Sequence, residues 1–309
     1  MKSVILDVDT GNDDAVAIMM AALHPEITLL GCTTVAGNLP VENTTENTLR
    51  VLSHIGREDV PVFRGLAKPF APYPFGLSQG YDPSASVHQE HLELPRSRRP
   101  AEPTPAVEWL IETLRATTEP VTLVPLAPLT NIAAALTLAP DIASAVEQIV
   151  IMGGSATQGN MTSQAEFNIY LDPVAARVVM HAGFENLVLV TLDATRMARV
   201  SSDECAELGA LGTPAATATA AILEAYIRGD GPTATHAAVH DALCIAYLID
   251  PGILTLARAH VDVDTVGFNT YGRTLIDSDG LGGNESNALV SIAADSDRFN
   301  ELLTATVSA

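Results

Sequence analysis

The chain has 309 residues, 47% of them hydrophobic and 17% charged, which supplies ample apolar material for a buried core and excludes a disordered chain. Thirty-seven Asp and Glu against 16 Lys and Arg leave a net charge of −21, a surface that repels phosphate backbones and anionic lipid and so argues against nucleic acid or membrane as a partner. Cys32, Cys205 and Cys244 form no CxxC pair, and Asp7 and Asp9 interrupt the first apolar run, so buried thiols in a reducing, cytoplasmic setting are expected.

Short β-rich apolar runs alternate with longer helical ones. Val4-Ile5-Leu6 reads as a buried strand ending in acids, and residues 13–23 as a helix stopped by His24-Pro25. A strand over 27–35 follows, closed by Ala36-Gly37-Asn38, then a helix over 41–55 ended by Gly56. Residues 68–105 are rich in Pro, Gly and Ser and read as a long surface excursion, a candidate lid. Helices at 107–116, 129–138 and 173–181 alternate with strands at 121–126, 149–152 and 187–192. Residues 232–239 read as a polar loop and 240–249 as a helix. Extra strands at 261–266, 273–276 and 288–292 precede a closing helix from about Asp295. The pattern predicts an α/β chain, one domain over residues 1–309, with a mostly parallel sheet flanked by helices and extra C-terminal strands.

In such sheets ligands bind beyond the carboxyl ends of the strands. Polar clusters fall there four times: Asp7 to Asp14, Gly37-Asn38, Leu126 to Asn131, and from Gly153 onward. Topology alone would gather them into one crevice.

Four aspartates, Asp7, Asp9, Asp13 and Asp14, stand within eight residues. Like charges that close repel strongly unless a cation neutralises them, and oxygen-only ligands point to Ca²⁺ or Mg²⁺ rather than zinc. A helix cap uses one such side chain, not four. Two enzyme classes make use of acids at this place: a phosphatase of the haloacid dehalogenase type, with Asp7 as nucleophile and Mg²⁺, and a metal-dependent glycosidic hydrolase. A non-catalytic sugar- or nucleoside-binding protein is a third reading. The phosphatase requires a lysine, and the chain has only Lys2 and Lys68; the predicted crevice also has few basic residues for a phosphate dianion.

The segment Asp7-Val8-Asp9-Thr10-Gly11-Asn12-Asp13-Asp14-Ala15 closely resembles the DxDxGxDDA signature of the nucleoside hydrolase family. The likeness continues in family order through residues 33–38, Pro125-Leu126-Ala127-Pro128-Leu129-Thr130-Asn131, Met152-Gly153-Gly154, Glu166-Phe167-Asn168 with Asp172-Pro173, and Val239-His240-Asp241. The resemblance implies an open, Rossmann-like sheet and Ca²⁺-dependent cleavage of a ribonucleoside to free base and ribose. It implies that Asp9, Asp14, Asp241 and the Leu126 carbonyl hold the ion and that Asp13 is the general base. Asn38, Asn160, Glu166 and Asn168 would bind the sugar, with Met152 and His88 also at the substrate, and His240 would protonate the departing base. It further implies a homodimer or homotetramer.

The chain departs from the family in the excursion, where a His-Gly pair is usual and Val87-His88-Gln89-Glu90-His91 stands instead. Asp7 is expected to orient a ligand from behind, and Thr130-Asn131 to cap the next helix. Tyr226 and His236 are placed to reach the base pocket, but the simpler reading of both is as ordinary helix or loop residues. The single Trp109 lies in a helix away from the motifs, which disfavours a tryptophan-stacked purine pocket and leaves a broad or pyrimidine-leaning preference.

Overall fold

The computed structural model describes residues 1–70, 88, 90–229 and 231–309. The candidate lid at 68–105 therefore falls in large part outside the described residues, as do Val87 and Gln89.

The strands are β1 (Lys2–Val8), β2 (Ile27–Thr34), β3 (Val62–Arg64), β4 (Val121–Pro125), β5 (Val146–Met152), β6 (Leu187–Val190), β7 (Arg199–Ser201), β8 (His236–Ala238), β9 (Leu254–Val263), β10 (Thr274–Asp277) and β11 (Ala288–Ala294). The helices are α1 (Asn12–Leu23), α2 (Val41–His54), α3 (Ala106–Ala116), α4 (Thr130–Leu138), α5 (Phe167–Leu171), α6 (Pro173–Met180), α7 (Leu192–Thr195), α8 (Ser202–Ala210), α9 (Pro214–Gly229), α10 (His240–Ile249) and α11 (Ser296–Val307). Nine strands form one sheet in the order β10-β9-β11-β6-β5-β4-β1-β2-β3, parallel from β11 to β3, with β9 running antiparallel to β11 and β10. The expected mostly parallel sheet with extra C-terminal strands is present.

Apolar residues on both faces of the strands make two cores. On β1, Val4, Leu6 and Val8 face the layer of α1, α9, α10 and α11, while Ile5 faces that of α3, α4 and α6. Helix α1 is buried from Asn12 to Ala22, so its first-turn acids enter the protein without solvent. The chain order of the strands reverses between β1 and β4, the switch point where a crevice opens at the carboxyl ends. The turn after β1 and the Leu126 loop after β4 border that crevice.

Some boundaries differ from expectation. The strand expected from 261 begins earlier, at Leu254, and ends at Val263, so His260 lies near the end of β9. The expected loop at 232–239 contains β8, which pairs with β7 as a separate two-stranded ribbon. Thr130 and Asn131 cap nothing: Thr130 Oγ1 donates to Asp172 (2.7 Å), and Asn131 Nδ2 donates to Asp7 (2.8 Å) and to the Thr34 carbonyl (3.0 Å). Asn131 thus ties the ends of β1 and β2 together from α4. The three cysteines are buried and free. Among the described residues no helix is long and apolar enough to cross a membrane.

Candidate active site

After Val8 the backbone turns through Asp9-Thr10-Gly11 into α1. Asp14 closes this turn by accepting from the Asp9 amide (3.1 Å) and the Gly11 amide (2.9 Å). A side chain at Gly11 would run into the imidazole of His88, and one at Gly37 into the carboxylate of Asp9. Asp9 accepts from the Asn38 amide (2.6 Å) and from Asn38 Nδ2 (3.2 Å), which also reaches Asp14 (3.3 Å). Asp241, in the first turn of α10, arrives from the other end of the chain. Oxygens of Asp13, Asp14 and Asp241 lie within 4.8 Å of one another, a group that could hold a metal ion. Asp9 stands beside this group, fastened by Asn38.

All four carboxylates are buried. Burial, with repulsion from Asp14, pushes Asp13 up to about 7; burial pushes Asp14 up to about 6 against the amides of Gly11 and Asp9 that lower it. Burial and mutual repulsion hold Asp9 and Asp241 well above the ordinary carboxylate range. Among the described residues no Lys or Arg lines the pocket above them. A buried carboxylate group without a counter-ion fits a hard divalent cation, whose charge would relieve both the desolvation and the repulsion.

Asp7 lies one layer behind. Its Oδ1 accepts from Thr33 Oγ1 (2.6 Å) and Asn131 Nδ2 (2.8 Å), while its main-chain carbonyl accepts the Leu126 amide (2.8 Å). The backbone of Asp7 therefore holds Leu126 from its amide side, while its side chain is tied to β2 and α4.

A pocket of about 270 Å³ opens over this floor. Asp13, Asn38, Leu126, Met152, Asn160, Glu166, Asn168, His88, His240 and Asp241 all line it. Every predicted substrate residue thus meets in one cavity, and Asp9 and Asp14 lie beneath it. Asn168 donates through Nδ2 to the carbonyls of Leu126 (2.9 Å) and Met152 (3.2 Å), so its Oδ1 is left as an acceptor. The Leu126 carbonyl keeps a second lone pair for a cation. Glu166 accepts from the amides of Asn168 (2.9 Å), Ile169 (3.1 Å) and Gly154 (3.1 Å), as the cap of α5. Burial nevertheless raises its carboxyl to about 7. Asn160 Oδ1 accepts the Phe167 amide (2.9 Å), which leaves its NH₂ for a ligand.

The opposite wall carries aromatic and imidazole groups. His88 Nδ1 accepts the Asn12 amide (3.1 Å), and its ring lies 5.8 Å from that of Tyr226. The departure from the His-Gly pair does not keep His88 out of the pocket. His240 Nδ1 lies 2.7 Å from Thr195 Oγ1. Burial lowers both imidazoles to about 4, with the Arg196 charge adding to the effect at His240, so both are neutral near pH 7.

Tyr226, read from the sequence as ordinary, also lines the pocket, together with Met161 and Phe167. Phe167 sits inside a recognised motif and Met161 beside Asn160, so those two had a signal. Thr195 went unnoticed, although it follows the carboxyl end of β6 and the strand-end rule would have found it. His236 does not line this pocket, and Trp109 is remote, stacked on Phe63 at 4.1 Å.

Comparison with known proteins agrees with this geometry. The family model described as inosine-uridine preferring nucleoside hydrolase matches residues 4–301. The chain is 38% identical over 309 residues to the pyrimidine-specific ribonucleoside hydrolase RihA of Shewanella woodyi, covering 98% of this chain and 96% of that one. It is 39% identical over 310 residues to the pyrimidine-specific ribonucleoside hydrolase RihB of Escherichia coli, covering 96% and 94%. Among solved structures it superposes on the purine-preferring ribonucleoside hydrolase from Gardnerella vaginalis with a TM-score of 0.89 and 30% identity, covering 99% and 98%. The phosphatase reading is thereby overturned, and its missing lysine agrees: Lys2 and Lys68 are both exposed. With its motifs joined in one pocket and the match running almost end to end, the chain belongs to the nucleoside hydrolase family, enzymes that hydrolyse N-glycosyl compounds.

Proposed function

We propose that this enzyme is a Ca²⁺-dependent hydrolase of ribonucleosides with a preference for pyrimidine bases. The observation that carries the metal requirement is the buried meeting of Asp13, Asp14 and Asp241 with no cationic side chain among the described residues of the pocket. Asp9, Asp14, Asp241 and the Leu126 carbonyl would hold the ion, and their all-oxygen set suits Ca²⁺. When bound, such an ion supplies charge that favours an ionised, oriented water at the sugar.

Asp13, whose carboxyl is raised towards neutrality, accepts the proton of the attacking water. The Asn168 Oδ1 and the Asn160 NH₂ offer hydrogen bonds to the sugar, and Glu166 adds negative charge that stabilises a developing oxocarbenium ion. His240 is neutral; with the Thr195 hydroxyl donating to Nδ1, its Nε2 carries the proton and donates a hydrogen bond that stabilises the charge developing on the leaving base. Tyr226 and His88, their rings tilted by 34° to each other, offer aromatic contact to that base.

Two relatives at 38% and 39% identity bear pyrimidine-specific names, and no tryptophan stands among the described residues of the pocket, which supports the pyrimidine preference. One domain and a homodimer or homotetramer complete the reading. Release of ribose from uridine, cytidine, inosine and adenosine, compared as kcat/KM with and without chelator, tests it. Pyrimidine nucleosides should lead and the chelator should abolish all four; turnover that ignores the chelator would refute the metal requirement.

A further inference from the structure

A second, larger cavity of about 570 Å³ adjoins the nucleoside pocket and shares Asn160, Tyr226 and His240 with it. Its outer part is lined by Arg196, Arg199 and His236 and, among the described residues, by no carboxylate. In a chain of net charge −21 that composition is unusual. Eight arginines form ion pairs with Asp or Glu. Arg196 and Arg199 form none among the described residues. Arg196 donates to the Gly159 carbonyl (2.9 Å) and Arg199 to the Arg196 carbonyl (2.6 Å), contacts that fix each guanidinium without neutralising it. The crevice expected from the sequence to be poor in cations thus has two beside it.

From this geometry we infer that the adjoining cavity is an anion-binding compartment, which takes a carboxylate or phosphate carried by the nucleoside whose sugar and base occupy the main pocket. Guanidinium groups suit either anion, since their planar N–H donors match paired oxygens. The sharing of Asn160, Tyr226 and His240 makes the two spaces continuous, so one ligand can span both. The inference rests on reading the main pocket as a nucleoside site.

The test uses the Ca²⁺-loaded Asp13→Asn protein, slow enough to bind substrates without consuming them, and calorimetry with uridine, 5-carboxyuridine and uridine 5′-monophosphate. At least one anionic probe should bind about tenfold or more tighter than uridine, as expected for a charge-assisted hydrogen bond, and the gain should shrink with added salt. Adding Arg196→Gln and Arg199→Gln should remove the gain. A gain confined to 5-carboxyuridine assigns the anion to the base, and one confined to the monophosphate assigns it to the sugar. Equal affinity for all three probes, or a gain that survives both arginine substitutions, overturns the inference. Ribose release from uridine by the wild-type enzyme separates the two claims: its absence defeats the hydrolase reading, while the arginine-dependent gain decides the compartment.

Discussion

The floor and the base-side wall of the pocket are built in different ways. The floor is a short contiguous turn, Asp9 to Asp14, joined by Asp241 and clamped by Asn38; its carboxylates are buried and packed around one point. The wall is assembled from His88, Tyr226, Thr195 and His240, which come from separate stretches of the chain, with His88 beside Tyr226 and Thr195 beside His240. A floor of that kind tolerates almost no change, because each carboxylate constrains the others. A wall drawn from separate stretches of the chain can be altered piece by piece, and the difference assigns chemistry to the floor and base selectivity to the wall.

The comparison breaks first at Asp13. Asp13→Asn should lower kcat by about 10²- to 10⁴-fold, the usual worth of a general base, while leaving Ca²⁺ affinity in place. Single-turnover kinetics beside calcium calorimetry would show it, and wild-type speed would sink the assignment.

The second effect is on stability. Asp13 and Glu166 at about 7 and Asp14 at about 6 keep protons that the unfolded chain loses near 4. Between about pH 4 and 7 the folded state therefore binds more protons, and these groups stabilise it less as pH rises. His88 and His240 act the other way, losing stability as pH falls from 6.5 towards 4. They titrate with or without the ion, so the rise in Tm on adding Ca²⁺ isolates the carboxylates of the floor. That rise should be larger at about pH 7.5 than at about pH 5, on either side of those carboxyl groups; an equal rise at both would mean that the carboxylates are not its ligands.

Thr195→Val tests the wall. Loss of the hydrogen bond to His240 Nδ1 should cost roughly tenfold in kcat with little change in KM, and Thr195→Ser should restore most of it. Should the valine variant match the wild type, His240 needs no such support. The smallest effect on turnover is expected at Trp109, away from both regions. Trp109→Ala should lower stability by about 1–3 kcal/mol through loss of its packing at the edge of the core and its stacking on Phe63, with kcat/KM unchanged.

The same contrast explains what the sequence disclosed. The floor was legible because a tight turn into a helix needs its acids and its glycine at fixed spacing. The parallel strands were legible because burial on both faces makes them continuously apolar. In the wall, His88 and His240 were legible through the resemblance, whereas Tyr226 on α9 and Thr195 on α7 look like any helical residues until tertiary packing brings Tyr226 beside His88 and Thr195 beside His240. Arg196 and Arg199 were hidden for the same reason. Asn131 was misread as a cap because Asn favours that position locally, while its amide is drawn instead to Asp7 and Thr34 across two strands.

The central claim is that a divalent cation seated on the buried carboxylates is required for glycosidic cleavage. Ribose release from uridine should be followed with protein stripped of metal and then titrated with Ca²⁺. Activity should be absent at the start and rise to saturation at one ion per chain; full activity in the stripped protein would contradict the account.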